Sequence, residues 1–280
     1  VVVAAPTGKA VMQLQQRLLK DLKAEKGQVK AQTLHALLGL RKDYQKPTVA
    51  RIQADLVIVD EASMIDVRLM AYLLEAIGPK TRLVLMGDPQ QLPPVEAGNV
   101  FADLAKIEQI RTVFLQKAIR FEDDRLAAFA VAIQKGEKQA VFDLLQQKPL
   151  KWSADLNLAE SLFYFLPEDK EFSPQQILQQ HEKFRLLSAM REGVLGVNTL
   201  NARLFQEFWR NFEKGRSWAL PIIITKNNYQ LELYNGMLGV LIGYGGQTLL
   251  QGKAYFSWGE NIKELAACLL PAYELAFCLS

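Results

Sequence analysis

Three short apolar runs punctuate the first third of the chain: VVVAAPTG, DLVIVDEAS and RLVLMGDPQQ. Each is rich in β-branched residues, spans about five positions, and leads through turn residues into a helical pattern. Strands apolar on both faces are what a parallel sheet covered by helices requires, so the pattern predicts an α/β fold. In such sheets chemistry collects where strands end at their carboxyl edge. Those ends hold Thr7 to Lys9, Asp60–Glu61, and Gly87 to Gln91. Helical periodicity follows over 64–77, 97–109 and 123–147. Between 148 and 180 it weakens around Pro149, Pro167 and Pro174, and short helices with loops are expected. A new αβ segment begins at KFRLLSAM and continues as a helix over NTLNARLFQEFWRNF. After Arg216, PIIITKN, LELYNGMLGVLIGY, QTLLQG and KAYFSW alternate and carry the Asn235–Gly236 turn signal, which reads as a small antiparallel barrel or meander.

Composition narrows the class. With 280 residues the chain has room for two or three compact units. Half of the residues are hydrophobic and 22% charged, as in ordinary globular proteins. No apolar stretch reaches the roughly 18 residues of a membrane span, and no secretory leader is recognisable. Cys268 and Cys278 form neither a disulfide framework nor a zinc pattern, in keeping with a reducing, cytoplasmic setting. A start at valine, inside a strand pattern, reads as a piece of a longer protein. Net charge is only +3, yet residues 1–51 hold ten Lys or Arg against Asp21, Glu25 and Asp43. That asymmetry suits a polyanionic partner and equally a solvated helix face.

The opening AAPTGKA has the strand, glycine turn, lysine and helix of a phosphate-binding loop, without its full pattern. Val3 stands where the first glycine belongs, and Ala10 where a magnesium-binding hydroxyl belongs, so this turn is not the nucleotide cradle. In VIVDEAS, Asp60 suits a magnesium ion held through water, and Glu61 a base that activates an attacking water. The same letters also fit a helix start, with the acidic pair at the positive end of the dipole and Ser63 as cap. In RLVLMGDPQQLPPVEAG, Gly87 allows a tight turn, Asp88 and Gln91 reach the same edge, and Pro93–Pro94 stiffens the exit. A glutamine there can read a γ-phosphate without adding charge.

The spacing from DEASM to GDPQQLPPVEAG resembles superfamily 1 DNA helicases, most closely the exodeoxyribonuclease V alpha subunits (RecD) and their stand-alone RecD-like relatives. The resemblance makes DEASM a Walker B motif and GDPQQLPPVEAG the glutamine-containing third motif. It also makes AAPTGKA a motif that contacts single-stranded DNA through Thr7, Gly8 and Lys9. QTLHALLG is similar to the family's TLH segment, which brings in His35, and FLQKAIRF to the stretch whose arginine, Arg120 here, contacts the γ-phosphate. SAMREGVLGVNTLN matches the opening of a second motor domain, ITKNNYQLELYNGMLGVLIG a small SH3-like insertion, and LLPAYELAFCLS the lead-in to a fifth motif.

The resemblance implies five segments: a RecA-like motor domain over 1–147, a connector over 148–182, the start of a second RecA-like domain over 183–216, an SH3-like β insertion over 217–270, and a return into the second motor over 271–280. It further implies ATP and Mg2+ as cofactors, with Asp60, Asp88, Gln91 and Arg120 on the nucleotide, Asp60 on the metal, and Glu61, Gln91 and Arg120 in catalysis. The implied activity is 5′ to 3′ helicase movement from a duplex end. Implied partners are single-stranded DNA and, in exodeoxyribonuclease V, the nuclease-helicase (beta) and scaffold (gamma) subunits, with no membrane. No GxxGKT occurs in the chain, nor do the last two helicase motifs, so the segment alone is expected to be inactive. Competing readings are a stand-alone RecD-like helicase and a non-catalytic nucleic-acid-binding or assembly module; a metal-dependent nuclease lacks a ligand cluster. Phe205, Phe208, Trp209 and Phe212 fall at helical spacing and read as core, whereas Trp218, Tyr229, Tyr234 and Trp258 of the β region are open to a DNA role.

Overall fold

The computed structural model describes residues 1–21, 30–40, 51–94, 96–115, 124–147, 157–165, 172–212, 215–228, 230–259 and 261–280. Packing divides the chain into two units: Val1–Leu37 with Asn157–Ser280, and Leu38–Leu156. In the first, β1 (Val2–Ala5) is buried along its whole length, as its unbroken apolar run requires. Helix α1 (Gly8–Asp21) follows and the chain returns as β2 (Lys30–Thr33), parallel to β1 in the register Val2↔Lys30 to Ala5↔Thr33. The short α2 (Leu34–Leu37) closes this part.

The second unit pairs β3 (Leu56–Val59) in parallel with β4 (Arg82–Leu85), connected through α3 (Val67–Ala76). Leu69, Met70, Leu73 and Ala76 form the buried face of α3. The helix begins at Val67, later than its apolar pattern implies, because Asp66 caps it by accepting from the Leu69 N–H at 2.8 Å. Residues Ala62–Met64 form a separate 3-10 turn. Helix α4 (Val100–Leu104) is shorter than the 97–109 pattern, and the 123–147 pattern breaks into α5 (Asp124–Lys135) and α6 (Lys138–Leu145). Gly136, at φ 69°, makes that break.

Returning to the first unit, α7 (Leu158–Phe163) and α8 (Pro174–Lys183) are the expected short helices, α8 opened by a Ser173–Gln176 capping box. β5 (Leu186–Leu187) precedes α9 (Val197–Asn211). An antiparallel sheet follows, built from β6 (Ser217–Ile224), β7 (Leu238–Tyr244), β8 (Lys253–Trp258), β9 (Asn261–Ala266) and β10 (Tyr273–Leu275) in the order β10-β6-β7-β8-β9. Finally β11 (Cys278–Leu279) pairs in parallel with β5. The buried Asn201 of α9 fixes that return, donating to the Cys278 carbonyl at 3.0 Å and accepting its N–H at 2.9 Å.

Two expectations for the β region change. QTLLQG is a 3-10 turn, since Thr248 and Gln251 form a capping box, and NIKELA supplies the strand β9 instead. The core of this region joins Trp218, Leu220, Ile222, Leu241 and Phe256 to Leu204 and Phe208 of α9, with Phe205, Trp209 and Phe212 packed against it. The α9 aromatics are therefore core. Trp218, only 1% exposed, leaves the set of residues open to DNA, while half-buried Trp258 carries the Lys263 ammonium 4.4 Å over its ring.

Candidate functional site

The acidic pair stands at the carboxyl end of β3. Asp60 Oδ1 accepts from the Glu61 N–H at 2.9 Å, and its second oxygen makes no hydrogen bond among the described residues. Glu61 is one of two non-glycine residues described at positive φ, at 53°, and both acidic side chains are half-buried. A left-handed glutamate costs about 1–2 kcal/mol, a strain that helix capping does not require. Ser63 is no cap: it lies inside the 3-10 turn, 3% exposed, with its hydroxyl unpartnered. Of the helix-start reading of DEAS, the cap at Ser63 is corrected: Glu61 opens a 3-10 turn that contains Ser63, and α3 has its own cap at Asp66.

The turn after β4 is bonded directly to this pair. Met86 donates its N–H to the Val59 carbonyl and accepts from the Ala62 N–H, both at 2.8 Å, so the ladder runs past the acidic residues. Gly87 then lies on them: an added Cβ would meet the Ser63 nitrogen at 3.0 Å, the Ala62 nitrogen at 3.2 Å and the Phe101 ring at 3.2 Å. Its backbone is not left-handed. Close approach, rather than a tight turn, is what requires glycine at this position. Beyond it Asp88 is exposed, and its Oδ1 accepts from the Gln90 N–H at 2.9 Å, shaping the turn that presents exposed Gln91. Gly98, at φ 102°, packs on Val67 and ends the segment. Arg120 lies outside the described residues.

The hard oxygens of Asp60 fit a magnesium ion held through water, and the buried Ser63 hydroxyl in the turn that follows has no hydrogen-bond partner among the described residues. A triphosphate also needs a row of backbone donors, and no glycine-rich lysine loop with that spacing exists in this sequence. Among the described residues, no group of three or more His, Cys, Asp or Glu comes together to hold a metal. No helix among them is long and apolar enough to cross a membrane.

A second set collects at the carboxyl ends of β1 and β2, where the register Ala5↔Thr33 places the following turns on one edge. Thr7 Oγ1 accepts from the Ala10 N–H at 3.3 Å and so caps α1. Gly8 and Lys9 open that helix, whose first N–H groups have no partner within it, a natural contact for a phosphate. Lys9 is half-buried, Gly8 is buried, and His35 is exposed on α2. Of the basic amino-terminal segment, Lys23, Lys26, Arg41, Lys42 and Lys46 lie outside the described residues, as does Tyr229. Sequence reasoning named Ser63 only as a cap and Tyr234 only as open to DNA; the approach of Gly87 to the Ser63 nitrogen and of Gly8 to Tyr234 is announced by no local pattern.

Residues 1–151 match the protein family described as the AAA domain. The RecBCD enzyme subunit RecD of Mycolicibacterium smegmatis is 34% identical over 268 residues, covering 86% of this chain and 48% of that protein. The subunit of the same name from Haemophilus influenzae is 29% identical, covering 99% of this chain and 54% of its own length. The ATP-dependent RecD2 DNA helicase of Deinococcus radiodurans is 30% identical, over 99% of this chain and 36% of that protein. The chain thus spans about half the length of the RecD subunits it matches. With its DEASM and GDPQQ segments brought together at one sheet edge, the chain belongs to the AAA-domain family, in the RecD-like branch of the superfamily 1 helicases.

Proposed function

We propose that the full-length protein is an ATP-driven motor that moves 5′ to 3′ along single-stranded DNA from a duplex end. In this reading residues 1–147 belong to a first RecA-like motor, 183–216 and 271–280 to a second, and 217–270 to an SH3-like insertion. The observation that carries the reading is the bond from the Ala62 N–H to the Met86 carbonyl with the close approach of Gly87 to the DEAS turn, which brings acids and glutamine segment to one edge. Bound Mg-ATP supplies the phosphoryl group that is cleaved. Asp60 would hold the metal through its water ligands, and the Glu61 carboxylate would accept a proton from the attacking water. Gln91 would orient that water, with Asp88 shaping its turn, and the γ-phosphate contact is assigned to Arg120 by the family resemblance alone. Thr7, the backbone of Gly8, Lys9 and His35 meet the strand. The RecD names of the relatives favour a cytoplasmic subunit beside a nuclease-helicase and a scaffold subunit, with exonuclease activity belonging to that assembly.

The test is ATP hydrolysis by the full-length protein with and without a single-stranded oligonucleotide, paired with unwinding of duplexes bearing a 5′ or a 3′ tail. Hydrolysis that rises with DNA and unwinding confined to the 5′ tail support the motor. Hydrolysis absent, or indifferent to DNA, leaves a non-catalytic binding module. The mass of the native assembly separates a complex subunit from a stand-alone helicase.

A further inference from the structure

Gly8 is a glycine because of a residue 226 positions away. It opens α1 with a helical backbone that any residue could adopt, and yet a Cβ there would fall 2.8 Å from Tyr234 Cβ, 3.0 Å from Cδ1 and 3.1 Å from Cγ. At those distances something must shift, and Tyr234 Cβ is no flexible side-chain end. The next residue of the turn meets the same loop: Lys9 Cβ stands 4.0 Å from the Cβ position of Gly236. Tyr234, with Met12 of α1, packs against the main core of its unit.

The loop carrying Tyr234 is built to stay in place. Asn228 and Leu233 exchange both backbone bonds, at 2.7 and 2.9 Å. Asn228 Oδ1 accepts from the N–H groups of Gln230 and Leu231, and Asn227 Oδ1 from that of Asn235 at 2.7 Å. Gly236 donates to the Ile224 carbonyl at 2.8 Å and Met237 to that of Tyr234 at 3.0 Å. Glu232, at φ 48°, is held in a strained conformation that only such a network sustains.

We propose that Tyr234 is a positioning residue of the Thr7–Lys9 turn: pressed onto Gly8 from a rigid loop of the antiparallel sheet, it fixes where the turn presents Lys9 and the first α1 N–H groups to a phosphate. The inference rests on the DNA-contact reading of that turn given above. It differs from the usual account of a glycine beside a nucleic acid, in which the missing Cβ makes room for the ligand; here the room is taken by Tyr234.

The experiment is a double-mutant cycle on full-length protein, read by binding of a fluorescent oligo(dT) across a salt series, with melting curves to verify folding. Tyr234→Gly is the required partner, because alanine keeps the Cβ that Gly8→Ala meets first. Gly8→Ala alone is expected to weaken binding about tenfold and to lower the salt slope by about 0.7, the loss of one phosphate contact. Tyr234→Gly alone weakens binding in the same manner. Placed on Tyr234→Gly, Gly8→Ala then costs less than about twofold, the non-additivity of residues in contact. Tyr234→Phe binds like wild type, since the contacting atoms exclude the hydroxyl. An equal cost of Gly8→Ala in both backgrounds, or unchanged binding by Tyr234→Gly, overturns the proposal. If Gly8→Ala does not fold, Tyr234→Ala against Tyr234→Phe decides: weaker binding with a reduced slope for alanine alone supports the role, and equal binding overturns it. A wild type that binds no oligo(dT) removes the DNA reading itself, and the positioning role with it.

Discussion

Gly87 rests on the backbone of Ser63, so close that a Cβ at position 87 would stand 3.0 Å from the Ser63 nitrogen. Through this contact the turn after β4 and the acidic turn after β3 behave as one piece. Gly87→Ala gains from a less flexible unfolded chain, by about 0.4–1 kcal/mol. It loses about 1–3 kcal/mol to overpacking, because it meets the Ser63 nitrogen, the Ala62 nitrogen held by its bond to the Met86 carbonyl, and the Phe101 ring. The expected net is destabilisation near 1 kcal/mol by urea unfolding, with a larger relative loss of ATP turnover in the full-length protein as Gln91 is displaced. A variant as stable and as active as wild type would show that the two turns are not mechanically joined.

Glu61 supports a paired prediction, because its side chain and its backbone carry separate burdens. Glu61→Gln keeps the size and removes the base, so in the full-length protein turnover should fall about 10²–10⁴-fold while nucleotide affinity stays near wild type. Glu61→Gly also removes the base, and at φ 53° it relieves about 1 kcal/mol of backbone strain, so it should melt higher than wild type. Turnover retained by Glu61→Gln, or a lower melting temperature for Glu61→Gly, argues against a strained catalytic residue.

Much of this was legible in the sequence, and the pattern of what was not is physical. The strands β1, β3 and β4 and the chemistry at their ends follow from short apolar runs and from which letters succeed them, which are local properties. The glycines have a second reason that the sequence does not display. Gly87 and Gly8 read as turn or phosphate glycines, yet each is shaped by a distant partner, Ser63 in one case and Tyr234 in the other. Gly239 and Gly243 lie against Phe256 and Trp218 in the same way, so the glycine-rich look of the β region records aromatic packing as much as turns. NIKELA was missed as a strand because its half-exposed, charged alternation is stabilised by cross-strand pairs, such as Glu264 with Lys253 at 2.6 Å, which sequence spacing does not show.

Lys9 distinguishes a strand-gripping turn from an ordinary helix start. If its ammonium neutralises a DNA phosphate, Lys9→Ala in the full-length protein weakens binding about equally for all single-stranded sequences and lowers the salt slope by about 0.7. A lysine that only packs beside Gly236 would lower stability and leave the slope alone. The measurement is a salt titration with oligonucleotides of several compositions; parallel slopes and equal affinities for variant and wild type would reject the contact.

His181 gives the first unit a pH dependence that is independent of any ligand. Its ring is buried, and Nε2 lies 3.1 Å from the Phe165 carbonyl. A carbonyl can only accept, so Nε2 carries the proton and Nδ1 is the bare nitrogen, with no partner among the described residues. Burial drives the pKa down to about 4 against the opposing hydrogen bond to Phe165, and the Arg185 cation pushes in the same direction as burial. In the unfolded chain the imidazole takes up a proton near its ordinary value, and in the folded chain only near 4. Between those values the unfolded state binds more protons, so stability is full above the unfolded value, falls as pH drops through it, and levels off below about 4. At 1.36 kcal/mol per pH unit the loss approaches about 3 kcal/mol. His181→Gln keeps an N–H for Phe165 without a titrating proton, so it should be less stable at pH 7 and lose less on acidification. Urea unfolding of both proteins from pH 7 to 4 should show their stability difference closing by that amount. A difference that stays constant across the range would mean that His181 takes up its proton alike in both states, through access to water that its burial denies.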